Sequence, residues 1–343
     1  MQNILFTGAG GYIGSHTAYY FLKNTDCKIT IIDNLSTGFI ENIFYLESRF
    51  KYRVSFINAD LSDEKKIREI FKSNKFSAIV HFAASLIVEE STKNPILYYS
   101  NNTKNTLFII SLCLEFNINK FIFSSTAAVY GEGKVDSNID SIKEKDPLSP
   151  INPYGKSKMA SEMILEDAAK AYEKFNCVIL RYFNVAGALS DNNYKDSLNL
   201  GQRSKNATHL IKVACECAVG KREGMSIFGN DYETRDGTCI RDYIHVDDLA
   251  SAHLSAYEFL EANSRSGIFN VGYCNGYSVS EIISKVKEIS KVDFKVKIAP
   301  RRAGDPTQLI ANNEKILSLT SWKPKYNDIN HIINTAYLWE KNS

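Results

Sequence analysis

Short, nearly continuous apolar runs alternate with longer helical patterns through the first half of this 343-residue chain. Six of the runs are strand candidates: NILFT (3–7), KITIID (28–33), RVSFIN (53–58), AIVHFA (78–83), KFIFSS (120–125) and CVILRYF (177–183). The helical patterns include DEKKIREIFKSN (63–74) and ILYYSNNTKNTLFIISLCLEFN (96–117). Apolar strands separated by helices are typical of a parallel sheet covered on both faces. We therefore predict an α/β fold with a doubly wound, Rossmann-type parallel sheet, whose ligands bind beyond the carboxyl ends of its strands.

The second half of the chain has a looser pattern. A polar stretch, residues 190–206, has almost no apolar periodicity, and shorter elements follow it, with a closing helix near 327–341. We interpret residues 1–184 as the Rossmann-type domain, with segments near 235–250 returning to it. Residues 185–343 are predicted to form a smaller C-terminal α/β substrate lobe over its ligand edge.

A glycine-rich turn, GAGGYIG, follows the first strand directly. Its glycines have the spacing G-x-x-G-x-x-G, and Ile13 breaks the better-known G-x-G-x-x-G pattern. Glycines here permit a tight turn and close approach of backbone N–H groups to a pyrophosphate, and the following helix N-terminus adds partial positive charge. The predicted contacts of this turn with a dinucleotide are Gly8, Gly11, Tyr12, Ile13 and Gly14.

An acidic residue, Asp33, ends the second strand 19 residues after Gly14. A carboxylate there accepts hydrogen bonds from the adenosine ribose hydroxyls and repels a 2′-phosphate, so the sequence predicts NAD rather than NADP. Asp60 and Leu61, after the third strand, are predicted to contact adenine. The predicted lining of the cofactor channel, after the fourth strand, is Phe82, Ala83 and Ala84.

The stretch NPYGKSK (152–158) combines a helix start with a Tyr–Lys pair. Asn152 is a good N-cap and proline suits the first helical position, so we predict a helix to about residue 175. Tyr154 and Lys158 then share one face, whereas Lys156 points away. An ammonium beside a phenol favours the phenolate, so the Tyr154 pKa is expected to fall below its ordinary value of about 10. The pair is predicted to act as a general base and the charge that activates it.

The strand in FIFSSTAAVYG (121–131) ends in hydroxyl side chains at the ligand edge. Thr126 is predicted to hold the substrate oxygen while Tyr154 takes the proton, and Ser124 is predicted to lie beside the cofactor. Thr126, Tyr154 and Lys158 are therefore the predicted catalytic residues, and Tyr154 and Lys158 also contact the cofactor.

Composition excludes several other classes of function. The 41 basic and 39 acidic residues are intermixed, so no nucleic-acid partner is predicted. The longest apolar runs, such as LFIISLCL, are far shorter than the roughly 18–20 residues of a membrane span, and the first residues do not resemble a signal peptide. Seven cysteines without a C-x-x-C pair and six scattered histidines predict reduced thiols, a cytoplasmic location and no metal site.

A series of motifs resembles the extended short-chain dehydrogenase/reductase family and, within it, the UDP-glucose 4-epimerases. The motifs are GAGGYIGSHT, DNLSTG, HFAAS, YYSNN, SSTAAVYG, NPYGKSK, RYFNVAGA, GTCIRDYIHVDDLA, FNVG and PRRAGDP, and they span essentially the whole chain. The resemblance implies tightly held NAD, transient oxidation of a UDP-hexose to its 4-keto form, and inversion at C4. It also implies a homodimer formed through the helices near 96–117 and 154–175.

The same motifs carry further site residues. The resemblance adds Asn34, Asn101 and Tyr182 to the cofactor contacts. It implies that the UDP-sugar contacts, besides Thr126, are Asn184, His209, Phe228, Arg241, Tyr243, Arg302, Asp305 and Leu309. Arginine suits a diphosphate because its planar fork donates two parallel hydrogen bonds. His245 and the pair Asp247–Asp248 are interpreted as structural residues at a helix start.

Two positions depart from the family pattern. Leu86 stands where many members have a lysine against the cofactor, which affects one NAD contact. Leu309 stands where members confined to unacetylated sugars have a tyrosine. The smaller side chain leaves room for a 2-acetamido group, so we expect UDP-N-acetylglucosamine to be accepted as well.

Three alternative functions follow from the same fold. A nucleotide-sugar 4,6-dehydratase needs an additional acid and base, and Ala127 and Ala128 occupy the positions of the Asp-Glu pair in those relatives. A 4-epimerase of another UDP-sugar, such as a pentose or uronic acid, remains open because few side chains set the sugar end of the pocket. A non-enzymatic NAD-binding regulator predicts a degraded Thr–Tyr–Lys set, whereas the set is intact.

Overall fold

Strands and helices alternate along the chain in the computed structural model, which describes residues 1–132, 141–191, 199–204, 207–302 and 304–343. The strands in these ranges are β1 (Asn3–Thr7), β2 (Lys28–Asp33), β3 (Val54–Asn58), β4 (Ala78–His81), β5 (Lys120–Thr126), β6 (Asn176–Tyr182), β7 (Asn184–Ala186), β8 (Gly224–Phe228), β9 (Ile240–His245), β10 (Gly267–Val271), β11 (Gly276–Ser278), β12 (Lys295–Ala299) and β13 (Gln308–Leu309). The α-helices are α1 (Tyr12–Asn24), α2 (Ile40–Arg49), α3 (Glu64–Ser73), α4 (Val88–Lys93), α5 (Pro95–Tyr98), α6 (Asn105–Glu115), α7 (Pro153–Ala171), α8 (Leu210–Ala218), α9 (Val246–Asn263), α10 (Val279–Ser290), α11 (Glu314–Leu319) and α12 (Ile329–Asn342).

Seven strands form one parallel sheet in the order β10-β6-β5-β4-β1-β2-β3. This confirms the predicted doubly wound α/β fold, and the six strand candidates all lie in it. The sequence analysis did not identify the seventh strand, β10, which overlaps the FNVG motif. The helix before it, α9, packs against α1. The segment that returns to the large sheet is therefore α9 with β10, whereas β9, in the stretch near 235–250, pairs with strands of a smaller sheet.

The two faces of the large sheet are buried under different helices. Alternate residues of a strand point to opposite faces. Ile4 and Phe6 of β1 pack in one apolar cluster, and Leu5 between them packs in the other. All three are fully buried. Side chains of α1 and α9 complete the first cluster, and side chains of α3, α6 and α7 complete the second.

Smaller sheets follow the carboxyl end of β6. The chain passes from β6 almost directly into β7, which pairs with β9, and β9 pairs with β11 and β13. A second parallel pair joins β8 and β12. Helices α8, α10 and α12 pack against one another beside these strands. This arrangement confirms a C-terminal α/β lobe that is smaller than the first sheet.

The long helix predicted over 96–117 contains an irregular segment. Helix α5 continues into a π-helical turn, Tyr99–Lys104, and then into α6. Such a turn accommodates an extra residue and often marks a functional site. Asn102 in this turn accepts a hydrogen bond from the Ser85 backbone N–H at 2.7 Å and donates to the Ser157 hydroxyl at 3.0 Å. The π turn thereby joins the loop after β4 to helix α7.

The predicted start of α7 is confirmed. The Asn152 side chain accepts a hydrogen bond from the Gly155 backbone N–H at 2.9 Å, and Pro153 occupies the first helical position.

Within the described ranges, none of the helices has both the length and the apolar character needed to span a membrane.

Candidate active site

The glycine-rich turn lies at the carboxyl edge of the large sheet, between β1 and α1. Gly8 has a φ of +76°, and a Cβ atom there would lie 2.5 Å from the Ala83 backbone nitrogen. A Cβ atom at Gly14 would lie 2.7 Å from the Ala9 Cα. Gly11 is the N-cap of α1 and provides no side-chain cap, so backbone N–H groups of the first turn remain available to a ligand. Gly8 and Gly14 thus leave space that a side chain would fill, whereas a Cβ atom at Gly11 would meet only the Gly8 carbonyl oxygen, at 3.3 Å.

Asp33 is the last residue of β2, and Asp60 follows the neighbouring strand β3 at the same edge. Asp33 accepts hydrogen bonds from the backbone N–H groups of Gly10 and Leu35, each at 2.8 Å. Burial raises the Asp33 pKa, although these backbone bonds oppose the change. The Asn34 amide donates to Asp60 at 2.6 Å, which brings the predicted ribose and adenine contacts together. A carboxylate has more acceptor sites than Asp33 uses, so it retains capacity for ribose hydroxyls.

The segment after β4 crosses the end of β1. The backbone N–H groups of Phe82 and Ala83 both donate to the Thr7 carbonyl, at 2.9 and 3.1 Å. The Asn101 amide donates to the Ser85 hydroxyl at 2.9 Å. Leu86, the departure from the family lysine, follows Ser85 and is 49% exposed. It provides no charge at this position.

Helix α7 brings the predicted catalytic residues to the end of β5. The Lys158 ammonium donates to the Ser124 carbonyl at 2.8 Å and lies 4.7 Å from the centre of the Phe123 ring. The Thr126 side chain lies within reach of the Tyr154 hydroxyl and favours its ionised form. A general base must lie within hydrogen-bond reach of the proton that it removes, and Lys158 follows Tyr154 by one turn on the same face of α7.

The electrostatics of this pair differ from the sequence-based expectation. Burial lowers the Lys158 pKa to about 7, opposed by the negative charge of Glu162. Burial also raises the Tyr154 pKa, opposed by the hydrogen bond from Thr126. The expectation of a lowered Tyr154 pKa was therefore wrong for the chain alone. The cause is that desolvation of the phenolate outweighs the neighbouring groups.

Each of the two predicted arginines contacts another predicted substrate-binding residue. Arg241, on β9, forms a salt bridge with Asp305 and is 8% exposed. Arg302 is exposed, and its guanidinium lies 3.7 Å from the centre of the Phe228 ring. The four predicted contacts thus form two local pairs, a charged one and a stacked one.

A pocket in the lobe brings together three further predicted residues: Asn184, His209 and Tyr243. β7 and β9 pair Asn184 directly with Tyr243. The Gln202 amide lies 3.0 Å from the Nδ1 atom of His209. Burial, followed by the charge of Lys212, lowers the His209 pKa, so its ring is neutral at pH 7.

Leu309 lies close to the catalytic end of β5. Strand β13 pairs Leu309 with Arg241, and the Leu309 side chain packs in one apolar cluster with Ala127 and Phe183. Ala127 directly follows Thr126 in the sequence. Leu309, which is predicted to set the size of the accepted sugar, therefore lies near Thr126, which is predicted to hold the sugar hydroxyl.

Several side chains of the site were not predicted from the sequence. The Tyr98 ring packs edge-on against the Tyr154 ring, with centres 6.4 Å apart. The Ser124 hydroxyl lies 2.9 Å from the Nε2 atom of His253. Glu162 occupies the next i+4 position after Lys158, so extending the helical-face argument by one turn could have identified it. Tyr98 and His253 gave no such signal, because their contacts depend on packing between distant segments.

His245 and its acidic neighbours have the structural role that we inferred. The His245 ring caps α9 by accepting a hydrogen bond from the Asp247 backbone N–H at 3.1 Å. Asp248 accepts hydrogen bonds from the Tyr273 hydroxyl and from two backbone N–H groups of the segment before α12. In the ranges that the structure covers, no three His, Cys, Asp or Glu side chains are grouped as a metal site would require.

Comparisons with known proteins agree with this geometry. Residues 4–272 match the NAD dependent epimerase/dehydratase family. The chain belongs to this family. It is 42% identical over 342 residues to a UDP-glucose 4-epimerase of Lacticaseibacillus casei, covering 99% of this chain and 97% of that protein.

The chain is also similar to solved structures of epimerases. The UDP-Glc/GlcNAc 4-epimerase from Campylobacter jejuni is 52% identical, with complete coverage of both chains and a TM-score of 0.84. The UDP-glucose 4-epimerase from Brucella ovis in complex with NAD is 36% identical, with 99% coverage of both chains and a TM-score of 0.89.

Burial of Lys158 in this family member predicts a pH dependence of stability. The folded protein releases this proton near pH 7, whereas an unfolded lysine holds it to about pH 10. Between these values the unfolded chain binds more protons, so stability rises with pH by up to about 1.4 kcal/mol per pH unit. We expect Lys158→Met to remove this rise, measured by urea unfolding at pH 6 to 9. Lys156→Met, an exposed change on the same helix, should retain it; an unchanged pH dependence in Lys158→Met would contradict the burial argument.

Proposed function

We propose that this protein is a UDP-glucose 4-epimerase, an isomerase that interconverts UDP-glucose and UDP-galactose with tightly bound NAD. The observation that carries the proposal is the placement of Thr126 within reach of the Tyr154 hydroxyl, with Lys158 one turn further along α7 and bonded to the Ser124 carbonyl at the ligand edge. The site offers one proton-transfer group and an adjacent hydrogen-bonding partner for one substrate hydroxyl.

The residues at the sheet edge fit NAD. The cradle formed by Gly8, Gly11 and Gly14 would hold the pyrophosphate against backbone N–H groups. Asp33 would accept hydrogen bonds from the adenosine ribose. The remaining contacts that we propose are Tyr12, Ile13, Asn34, Asp60, Leu61, Phe82, Ala83, Ala84, Asn101, Ser124, Tyr154, Lys158 and Tyr182. When bound, NAD accepts a hydride from C4 of the sugar and returns it.

The side chains of this protein would manage the proton and the orientation of the sugar. Tyr154 removes the proton of the sugar 4-hydroxyl, and Thr126 holds the same oxygen in place. The Lys158 ammonium favours the phenolate form of Tyr154. After the 4-keto sugar turns about its diphosphate linkage, Tyr154 gives a proton back to the oxygen, and the configuration at C4 is inverted.

The lobe would hold the UDP portion during this turn. Arg241 and Arg302 suit the diphosphate, since a guanidinium donates paired hydrogen bonds to phosphate oxygens. We assign Phe228 to the uracil, because it matches a family residue near that base. The other contacts that we propose are Asn184, His209, Tyr243 and Asp305.

Alternative reactions fit the site less well. Elimination of water from the sugar needs further proton-transfer groups, and the alanines at 127 and 128 have none. Inversion of a UDP-pentose or UDP-uronic acid uses the same residues, so the substrate assay must include one of each.

An NMR assay tests this function directly. Purified protein is incubated with UDP-glucose without added NAD, and we expect the C4 epimer to form. Tyr154→Phe should lower kcat by about 10²–10⁴-fold because the proton acceptor is lost. Tyr172→Phe, an exposed change at the end of the same helix, should leave kcat unaltered. Absence of an epimer, or net NADH formation that needs added cofactor, would overturn the proposal.

We further propose that the substrate range includes UDP-N-acetylglucosamine. Leu309 is shorter than the tyrosine of members confined to unacetylated sugars and lies beside the end of β5. The similar protein from Campylobacter jejuni acts on both UDP-Glc and UDP-GlcNAc. Both observations favour a pocket with room for a 2-acetamido group.

The size of residue 309 should therefore set the ratio of the two activities. We expect Leu309→Tyr to lower the ratio of UDP-N-acetylglucosamine to UDP-glucose activity at least tenfold, in line with the selectivity of a filled pocket. Leu317→Tyr, the same change at an exposed site on α11, should leave the ratio constant. A Leu309→Tyr enzyme with the wild-type ratio would contradict the pocket argument.

We also propose that the protein is a homodimer that assembles through α6 and α7. These helices pack against each other, and each exposes a large apolar side chain: Leu107 is 50% exposed and Met163 is 56% exposed. Exposed apolar groups on adjacent helices are typical of an interface. All seven cysteines are free thiols, which supports a cytoplasmic location for the dimer.

Light scattering after size exclusion tests the dimer. We expect a mass near twice the 38.7 kDa of the chain. Replacing both Leu107 and Met163 with glutamate should give a monomer, because like charges would face each other across the two-fold axis. Leu319→Glu, at an exposed position of α11, is the control and should leave the mass of the dimer unchanged. A wild-type monomer, or a dimer that survives the double change, would refute this interface.

A further inference from the structure

A buried ion pair begins one helical turn beyond Lys158, at Glu162 of α7. Glu162 and Arg181 are 0% and 2% exposed. The Arg181 Nη2 atom donates to one carboxylate oxygen of Glu162 at 2.6 Å, and its Nε atom donates to both oxygens at 3.0 and 3.2 Å. Two buried charges of this kind are costly unless they are paired and hydrogen-bonded. The proposed reaction gives neither residue a role.

The ion pair is built into the strands that carry the active site. The Ser125 hydroxyl also donates to Glu162, and Ser125 stands between Ser124 and Thr126. The register of β5 and β6 places Ser125 opposite Arg181 and Thr126 opposite Tyr182. The pair therefore fixes α7 to the strand residues that hold the lysine and the substrate hydroxyl.

Lys158 otherwise contacts only neutral groups among the partners that the structure describes. These are the Ser124 carbonyl and the Phe123 ring. Glu162 lies one helical turn beyond Lys158 on the same face of α7. Its negative charge raises the Lys158 pKa against the effect of burial. A carboxylate in this position opposes the loss of the lysine proton.

We propose that Glu162 is a positioning residue that holds the Lys158 side chain in its ammonium form, with Arg181 fixing the Glu162 carboxylate. The inference rests on the proposed function only for its kinetic consequence, the activation of Tyr154. Arg181 cannot release a proton, so loss of the Glu162 charge would leave two neighbouring cations. Deprotonation of Lys158 relieves that repulsion.

Arg181 is itself held from the opposite side. Its Nη1 atom donates to the Tyr130 hydroxyl at 3.0 Å and to the Glu144 carbonyl at 3.1 Å. The Tyr130 hydroxyl donates to Asn270 at 2.6 Å. The Glu144 carboxylate accepts from the Asn270 backbone N–H at 2.8 Å. These contacts keep the guanidinium in place when the Glu162 charge changes.

Other titratable groups around Lys158 do not change their protonation state near neutral pH. On β4, burial followed by the Lys158 charge lowers the His81 pKa to about 3, and on α9 burial lowers the His253 pKa to about 4. Burial raises the pKa values of Tyr98, which bonds to Glu90, and of Tyr182. Tyr130, beside Arg181, has its pKa raised to about 12 by burial. A change near pH 7 is therefore assigned to Lys158.

The protonation of Lys158 can be followed directly by NMR. The holoenzyme is labelled with ¹³C at the lysine Cε atoms, and the Lys158 resonance is the one lost in Lys158→Met. We expect Glu162→Gln to lower the Lys158 titration midpoint by about one pH unit or more, which leaves roughly tenfold less ammonium above the midpoint. Ser125→Ala removes a hydrogen bond to Glu162 but no charge, so its midpoint should equal that of the wild type.

Removing both charges separates electrostatics from packing. In Glu162→Gln/Arg181→Gln the extra cation is also absent, so the midpoint should return toward the wild-type value. Arg181→Gln alone should raise the midpoint, and it tests the proposal if Glu162→Gln does not fold. A wild-type midpoint in folded Glu162→Gln or Arg181→Gln would overturn the proposal. So would a double variant with the same midpoint as Glu162→Gln.

The kinetic consequence is a second readout. At pH 7 the kcat of Glu162→Gln for UDP-glucose should fall about fivefold or more, with KM within about threefold, and the loss should shrink as the pH is lowered. A loss that is equal at all pH values would indicate a packing defect and count against the proposal. If the wild type shows no epimerase activity, the proposed function fails, but the NMR titration still decides the role of Glu162.

Discussion

Parallel pairing of the large sheet brings the carboxyl ends of its strands to one edge, and the candidate site depends on this constraint. The strands are covered on both faces, so their interiors are apolar and polar side chains can stand only at their ends. Thr7, Asp33, Thr126 and Tyr182 are the last residues of four of these strands. Residues separated by up to 175 positions in the chain thus share one surface.

The sequence was sufficient for the features that local rules determine. The bounds of β1 and β2 agree with the predicted apolar runs, because near-continuous apolar segments bounded by turn residues have few alternatives. The N-cap at Asn152 and the side-by-side placement of Tyr154 and Lys158 follow from helix geometry alone. The order of the motifs identified the family before any contact was known.

Features set by distant contacts could not be predicted in this way. β10 is a short strand that the smaller-sheet strands and α9 separate from its partner β6 in the sequence, and no local pattern encodes so distant a pairing. The pKa of Tyr154 depends on how completely packing excludes water. The expected direction of its shift was therefore wrong, although Lys158 was correctly predicted to lie on the same helix face. Asn102 was overlooked beside Asn101 because the π-helical turn, rather than the residue type, directs its amide.

That π-helical turn has a consequence for the whole edge of the molecule. It contains Asn101, at the proposed cofactor side, and precedes Leu107, at the proposed dimer face, on one continuous helical segment. Each residue of a helix turns its successors by about 100°. Losing one residue from Tyr99–Lys104 would rotate α6 by that angle relative to α5, so the two surfaces would lose their alignment together. The one extra residue of the π turn therefore fixes the orientation of the proposed dimer face relative to the proposed cofactor site.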